Sequence, residues 1–224
     1  MEIQVMTNIL DKNDRIAAEV NAIVSAHGIF CLNLLGSPGA GKTSLLERTI
    51  AELADEVNLA VIEGDLFTAK DAERIARQGA PVIQINTGGG CHLDAAMVKG
   101  VLDKLDLYSL DMIVIENVGN LVCPAEFNIG EDVKAVVLSV TEGEDKPLKY
   151  PLVFKEAGAV VLNKVDLLPY LNFDMAAVKA DVCSIHPEAA LMEVSCQTGT
   201  GLAGWYDWLK VQIANKKAGC WRNG

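Results

Sequence analysis

The chain has 224 residues, half of them apolar and only 5% aromatic, enough to bury one sizeable core built mainly from Val, Ile, Leu and Ala. Its 19 Lys and Arg against 30 Asp and Glu leave a formal charge of −11, and no basic cluster grows beyond Lys216-Lys217, which argues against a nucleic-acid partner. The longest uncharged stretch, Val20 to Gly41, contains Asn21, His27, Asn33, Pro38 and four glycines and makes a poor membrane span. The opening Met1-Glu2-Ile3-Gln4 lacks a basic region followed by an apolar run, so no membrane association and a cytoplasmic location are expected. Six cysteines spread through a chain of this size read as free thiols or metal ligands, not as a disulfide framework.

In chain order, Ile16, Ala17, Val20, Ile23 and Val24 recur at helical spacing and predict a docking helix over about 11–27, starting near Asp14 and ended by Gly28. A buried strand follows at Ile29 to Leu35, then a glycine-rich turn and a helix from Lys42 to about Ala54. Further strands are expected at Leu59 to Glu63, Pro81 to Ile85, Met112 to Glu116, Val133 to Val140, Ala159 to Asn163 and Ala190 to Val194. Helices are expected at Ala69 to Gln78, His92 to Leu105, Tyr150 to Ala157, Asp174 to Ser184 and Leu202 to Lys216, the last followed by a tail to Gly224. Apolar strands alternating with amphipathic helices predict an α/β fold, a mainly parallel sheet covered on both faces, with ligands at the carboxyl ends of the strands. No repeat or long linker divides the chain, so a single domain over 1–224 is expected.

Gly36-Ser37-Pro38-Gly39-Ala40-Gly41-Lys42-Thr43 matches G-x-x-x-x-G-K-[ST] between a strand and a helix, with Ser44 continuing into that helix. Glycines let successive backbone N–H groups curl around a phosphate, aided by the positive end of the helix. Lys42 then reaches the β- and γ-phosphates, and the Thr43 hydroxyl can hold Mg²⁺.

Asn163-Lys164-Val165-Asp166 follows a late strand, where it faces the base. A carboxylate accepts two donors, which suits N1–H and N2–H₂ of guanine and matches no such pair on adenine, so Asp166 selects GTP and GDP. Asn163 and Lys164 shape that pocket, joined by the later loop Ser195-Cys196-Gln197. The strand ending at Glu116 is followed three residues later by Gly119, an acid and a glycine placed to meet a Mg²⁺ water and the γ-phosphate. Asp65 is the candidate for completing Mg²⁺ binding or orienting the attacking water, and no glutamine or arginine stands out as a stimulant of hydrolysis, so intrinsic turnover is expected to be slow. Lys146 and Lys149, in a loop expected over Thr141 to Tyr150, either are solvated or reach a nucleotide across a dimer.

A second site is suggested by Gly88-Gly89-Gly90-Cys91-His92 and by Cys123 in Gly119-Asn120-Leu121-Val122-Cys123-Pro124. Thiolate and imidazole together suit Zn²⁺ and Ni²⁺ far better than Mg²⁺ or Ca²⁺. Three ligands leave a four-coordinate site open, so either solvent or a second chain completes it. The four residues from Gly119 to Cys123 reach about 14 Å at most, so movement of that loop on γ-phosphate loss moves a ligand. Cys31 is expected in a core strand, Cys183 on a helix face, Cys196 at the base pocket and Cys220 in the tail, while Trp205, Trp208 and Leu209 form a stripe expected to pack on the sheet.

These motifs, together with Glu63-Gly64-Asp65 through Asp71-Ala72-Glu73-Arg74 and Thr141-Glu142-Gly143, resemble the hydrogenase nickel-incorporation GTPases of the HypB family over nearly the whole chain. The Cys91-His92 and Cys123 pairing distinguishes that family from the urease accessory GTPases, which carry Cys-Pro-His instead. The resemblance implies a SIMIBI-type P-loop GTPase that acts as a cytoplasmic metallochaperone. It further implies a nucleotide-dependent homodimer holding Ni²⁺ or Zn²⁺ at its interface, a HypA-like nickel chaperone as helper, and delivery to the hydrogenase large-subunit precursor. The absence of a cysteine cluster or histidine-rich run between Met1 and Leu35 leads us to expect no separate storage site. Two other readings stay open at this level: a metal-stabilised GTP-binding dimer that acts as a store, and a GTPase serving another metal cofactor such as that of urease.

Overall fold

The computed structural model describes residues 4–66 and 69–219. Helix α1 (Gln4–Ala26) leads into β1 (Phe30–Gly36), α2 (Lys42–Leu53), β2 (Leu59–Asp65) and α3 (Lys70–Ala76). Then come β3 (Val82–Asn86), α4 (Ala95–Leu102), β4 (Met112–Glu116), the single turn α5 (Cys123–Glu126) and β5 (Val133–Ser139). The chain closes with α6 (Lys146–Lys149), α7 (Pro151–Lys155), β6 (Ala157–Asn163), α8 (Met175–Ile185), β7 (Ala190–Glu193) and α9 (Leu202–Lys217). The seven strands form one sheet in the order β3-β2-β4-β1-β5-β6-β7, every pairing parallel.

The sheet is buried on both faces because its strands are apolar on both sides. In β1, Phe30, Leu32 and Leu34 face a cluster with Leu45, Leu46 and Ile50 of α2, Ile75 of α3, and Trp205 and Leu209 of α9. Cys31 joins Val20 and Val24 of α1 and Val98 of α4 on the opposite face, and Leu35 joins Val153 and Phe154 of α7 and Val178 of α8. Successive parallel strands therefore send their following loops to one edge. The crevice lies there because β1 sits between β4 and β5, where the strand order reverses.

The expected strands fall within two residues of the observed ones, and four differences have local causes. α1 begins at Gln4, not near Asp14, since no Gly or Pro interrupts the segment between them. α4 begins at Ala95, not at His92, because the Asp94 carboxylate caps it by accepting from Met97 N at 2.8 Å; His92 is a loop residue. α5 and α6 interrupt segments expected to be loops, each with a proline, Pro124 or Pro147, in its first turn, where the missing N–H costs nothing. The tail from Cys220 to Gly224 lies outside the described residues. Among the described residues no helix is long and apolar enough to cross a membrane.

The Trp205 stripe packs as expected: Trp205 is fully buried, its Nε1 donates to Thr49 Oγ1 at 2.9 Å, and it stacks on Trp208 with centroids 5.4 Å apart. Trp205→Ala is expected to destabilise the protein by about 3–5 kcal/mol in urea titration. A loss below about 1 kcal/mol would contradict the placing of α9 in the core.

Candidate functional site

The glycine-rich turn after β1 owes its shape to backbone conformations that other residues rarely adopt. Gly39 and Gly41 have φ of 78° and 98°, and a Cβ on Gly41 would lie 2.3 Å from Asn163 Nδ2. Lys42 is almost wholly buried, and its ammonium donates to the carbonyls of Gly36 at 3.1 Å and Ser37 at 3.4 Å. Burial lowers its pKa from the ordinary lysine value, an effect offset in part by the negative charge of Glu116 and Asp71. Ala40 N donates back to Ser37 O, closing the turn.

Beneath the turn, Thr43 Oγ1 donates to Glu116 Oε1 at 2.8 Å, joining the start of α2 to the end of β4. Glu63, at the matching register position on β2, is also buried. Glu63 Oε2 and Glu116 Oε2 accept no hydrogen bond among the described residues. Desolvation pushes Glu116 up to about 7 and, with the nearby Glu116 charge, Glu63 up to about 8. A buried hydroxyl and two carboxylates with unused oxygens beside a phosphate-type loop form a donor set suited to Mg²⁺. Asp65 lines the same cavity of about 400 Å³, its Oδ1 accepting from Leu66 N at 2.5 Å as a turn cap does. Gly119 closes the opposite wall, where a Cβ would meet Pro38 N at 3.0 Å.

Arg74, which sequence reasoning did not single out as a stimulating group, also lines this cavity. It donates to Ser44 Oγ at 3.1 Å and is paired with Glu47 and Asp71. Glu63 was likewise given no role from sequence. Its signals are an acid in an otherwise apolar strand run and its place in the stretch Glu63-Gly64-Asp65.

A second cavity, about 560 Å³, adjoins the first and is lined by Gly41, Asn163, Asp166, Cys196 and Gln197 among others. Asn163 Nδ2 donates to Ala40 O at 3.0 Å, and Lys164 Nζ donates to Gly39 O at 2.6 Å, so both residues of this motif brace the glycine-rich turn. Lys164 adopts φ of 64°, a left-handed conformation at which no other non-glycine described residue is found. Asp166 Oδ1 accepts from Ser195 Oγ at 2.5 Å, and Ser195 Oγ in turn accepts from Thr198 N. Arg48 holds the neighbouring loop by donating to the carbonyls of Cys196 and Gln197. Burial raises the Cys196 thiol above its usual value, keeping it neutral.

The ligand atoms of Cys91, His92 and Cys123 all lie within 4.8 Å of one another. Ligands of a tetrahedral Zn²⁺ site stand about 3.3–3.8 Å apart, so small side-chain motions suffice for them to share one ion. Gly88 and Gly89, with φ of 60° and 102°, turn the chain after β3, and Thr87 Oγ1 fixes the turn by donating to Gly90 O at 2.8 Å. The His92 ring rests on Phe127 with centroids 4.0 Å apart. Desolvation lowers the His92 pKa, partly opposed by Asp94, which favours the neutral imidazole a metal needs. A hydrogen bond with the Cys123 thiol, followed by desolvation, raises Cys91, so a metal must displace protons to bind. Cys31 is buried in β1 and Cys183 is exposed on α8.

An all-parallel sheet with this strand order and a phosphate-type loop after β1 defines a P-loop nucleotide-binding protein of the SIMIBI class. A LAO/AO transport system kinase shares that fold with a TM-score of 0.59 at 14% identity, over 98% of this chain and 78% of that one. The model of the CobW/HypB/UreG nucleotide-binding domain matches residues 30–193. Hydrogenase maturation factor HypB of Rhizobium leguminosarum bv. viciae is 51% identical over 214 residues, 96% of this chain and 72% of that protein. A crystal structure of HypB from Helicobacter pylori in complex with nickel matches with a TM-score of 0.86 at 39% identity, over 95% of this chain and 99% of that chain. The chain belongs to the CobW/HypB/UreG family and, within it, to the hydrogenase maturation factors HypB.

The two raised carboxylates give a pH signature in metal- and nucleotide-free buffer. Their folded pKa values lie above the unfolded value near 4.5, so this contribution to stability is full below that pH and is lost as pH climbs toward 7 and 8. The urea midpoint is expected to fall between pH 5 and pH 8, and Glu63→Gln is expected to flatten part of that fall. A Glu63→Gln protein that declines as steeply as the parent would contradict the assignment.

Proposed function

We propose that this chain is a GTP-hydrolysing metallochaperone that binds nickel or zinc through Cys91, His92 and Cys123 and assists nickel insertion into the [NiFe] hydrogenase precursor. The observation that carries the reading is the meeting of three motifs at one sheet edge: the phosphate-type loop, the Asn163-to-Asp166 motif, and a thiolate and imidazole group within 4.8 Å. Similarity to the R. leguminosarum hydrogenase maturation factor HypB and to the H. pylori HypB in complex with nickel supports the same reading.

In this account the whole chain works as one GTP-binding unit that converts GTP and water to GDP and phosphate. The backbone N–H groups between Gly36 and Ser44, Pro38 having none, surround the phosphates, and Lys42 exchanges its carbonyl partners for phosphate oxygens, which offsets the penalty burial places on its charge. Thr43, Glu116 and Asp65 would hold Mg²⁺ directly or through water, and the ion would supply charge neutralisation at the phosphates. Asp166 accepts from guanine N1–H and N2–H₂, with Asn163, Lys164, Ser195, Cys196 and Gln197 around the base, while Gly119 N–H meets the γ-phosphate. Arg74 is tied to two carboxylates and not free to neutralise transition-state charge, which fits slow turnover without a partner.

Cys91 is exposed and Val122 is half-exposed, so the triad faces outward, where a second copy can complete the coordination in a nucleotide-dependent homodimer. A HypA-like nickel chaperone and the hydrogenase large-subunit precursor are the proposed partners, in the cytoplasm.

Asp166→Asn is expected to weaken GTP binding by about tenfold or more by removing a charge-assisted acceptor, and to improve the relative affinity for xanthosine triphosphate. An unchanged guanine preference would refute the base assignment. Cys91→Ser and Cys123→Ser should each lower Ni²⁺ and Zn²⁺ affinity about tenfold or more in chelator competition, with GTP turnover measured alongside. Metal affinity intact in both variants would move the metal site elsewhere, and metal binding without any GTP turnover would leave a store.

A further inference from the structure

Between the apolar clusters on the α1, α4 and α7 face of the sheet runs a seam of buried polar side chains that the phosphate and metal chemistry above does not use. At its centre is Asn117, one residue beyond Glu116 and almost wholly buried. Its Oδ1 accepts from Leu93 N and from Val118 N, both at 3.0 Å, and its Nδ2 donates to Asn33 Oδ1 at 3.2 Å. Its own N–H donates to Leu34 O on β1.

The seam has two arms, and each ends two residues beyond a cysteine. On one side Asn117 fixes the backbone of Leu93, two residues after Cys91 and one after His92. The buried Leu93 side chain sits so close to Gly64 on β2 that a Cβ there would lie 2.8 Å from it. On the other side Asn33 Nδ2 donates to Glu131 Oε1 at 3.0 Å, Glu131 is paired with Lys134, and Lys134 Nζ donates at 3.1 Å to the carbonyl of Ala125, two residues after Cys123. Asn13 strengthens the frame from α1, accepting from Ala95 N and donating to Asn128 O beside Phe127, on which His92 rests.

A buried carboxamide is costly unless its groups are bonded, and here the bonds reach three separate segments, the loop at Leu93, strand β1 at Asn33 and the chain at Val118. Glu116 is bonded to Thr43, Val118 leads to Gly119 against Pro38, and both chain neighbours of Asn117 line the phosphate cavity. We propose that Asn117 is a positioning residue that passes the state of the phosphate site to the metal loop, setting how tightly Cys91, His92 and Cys123 hold their ion. The inference rests on the proposed function above.

The test uses the full chain, with Ni²⁺ or Zn²⁺ titrated against a chromophoric chelator under saturating GDP and under a saturating non-hydrolysable GTP analogue. The parent is expected to show affinities that differ at least about fivefold between nucleotides, the low end for coupled sites. Asn117→Ala should bring that ratio within about twofold, and Asn117→Asp, which keeps the acceptor for Leu93 N, should restore part of it. A merely structural role would lower stability and leave the ratio alone. A folded Asn117→Ala protein with the parent ratio overturns the proposal while leaving the proposed function standing. A parent protein with no nucleotide dependence also overturns the proposal, while metal binding and GTP turnover, tested above, decide the proposed function. Should the alanine variant not fold, hydrogen exchange at the Leu93 amide of the parent decides: a change in protection between nucleotides supports the proposal, and equal protection overturns it.

Discussion

The hydrogen bond from Thr43 to Glu116 joins the start of α2 to the end of β4, and everything else hangs on that join. Thr43 opens the helix that follows the phosphate-type loop, and Glu116 ends the strand next to β1. The bond is possible because β1 and β4 run parallel and pair directly, so both chains leave the sheet at one edge. An antiparallel neighbour would have sent one of them to the far end. It also explains why an acid is tolerated in a core strand. Glu116 is desolvated, held near pH 7, and one of its oxygens accepts no bond among the described residues, which is a poor design for stability and a useful one for gripping a cation.

From that join the geometry runs outward in two directions. Toward the base, Asn163 and Lys164 are spent on the glycine-rich turn itself, bonding Ala40 and Gly39, so the base pocket and the phosphate loop form one braced unit. Toward the surface, the stretch from Gly119 to Cys123 starts against Pro38. Asn120 bridges to the Cys91 carbonyl while pairing in an antiparallel bridge with Gly36. Cys123 thus hangs from a segment that also touches the phosphate-type loop, and the Cys91 backbone is bonded to that same segment. The dense apolar clusters on both faces of the sheet resist diffuse deformation.

Local features of this architecture were legible in the sequence. The phosphate-type loop is recognisable because its glycines and Lys42 meet a local backbone requirement. The strands could be placed because Val, Ile and Leu runs such as Met112 to Ile115 are continuous. The short turns α5 and α6 escaped, since four residues are too few for an amphipathic period. His92 was assigned to a helix because the capping role of Asp94 competes with the apolar pattern around Leu93 and Ala95. What sequence could not give was contact between distant positions. Arg74 meets Ser44 and Glu47, and Asn33, Leu93, Asn117 and Glu131 form one seam, only because the sheet order brings them together. The three candidate metal ligands were named from residue type, and their convergence within 4.8 Å is a product of the same edge.

If phosphate chemistry and metal retention are linked through this edge, a single-turnover experiment should reveal it. Protein loaded with Ni²⁺ and GTP would be mixed with a chromophoric chelator while phosphate release is followed in the same reaction with a fluorescent phosphate sensor. The account predicts that transfer of metal to the chelator changes rate in step with phosphate release. Metal transfer at one constant rate before, during and after turnover would contradict it.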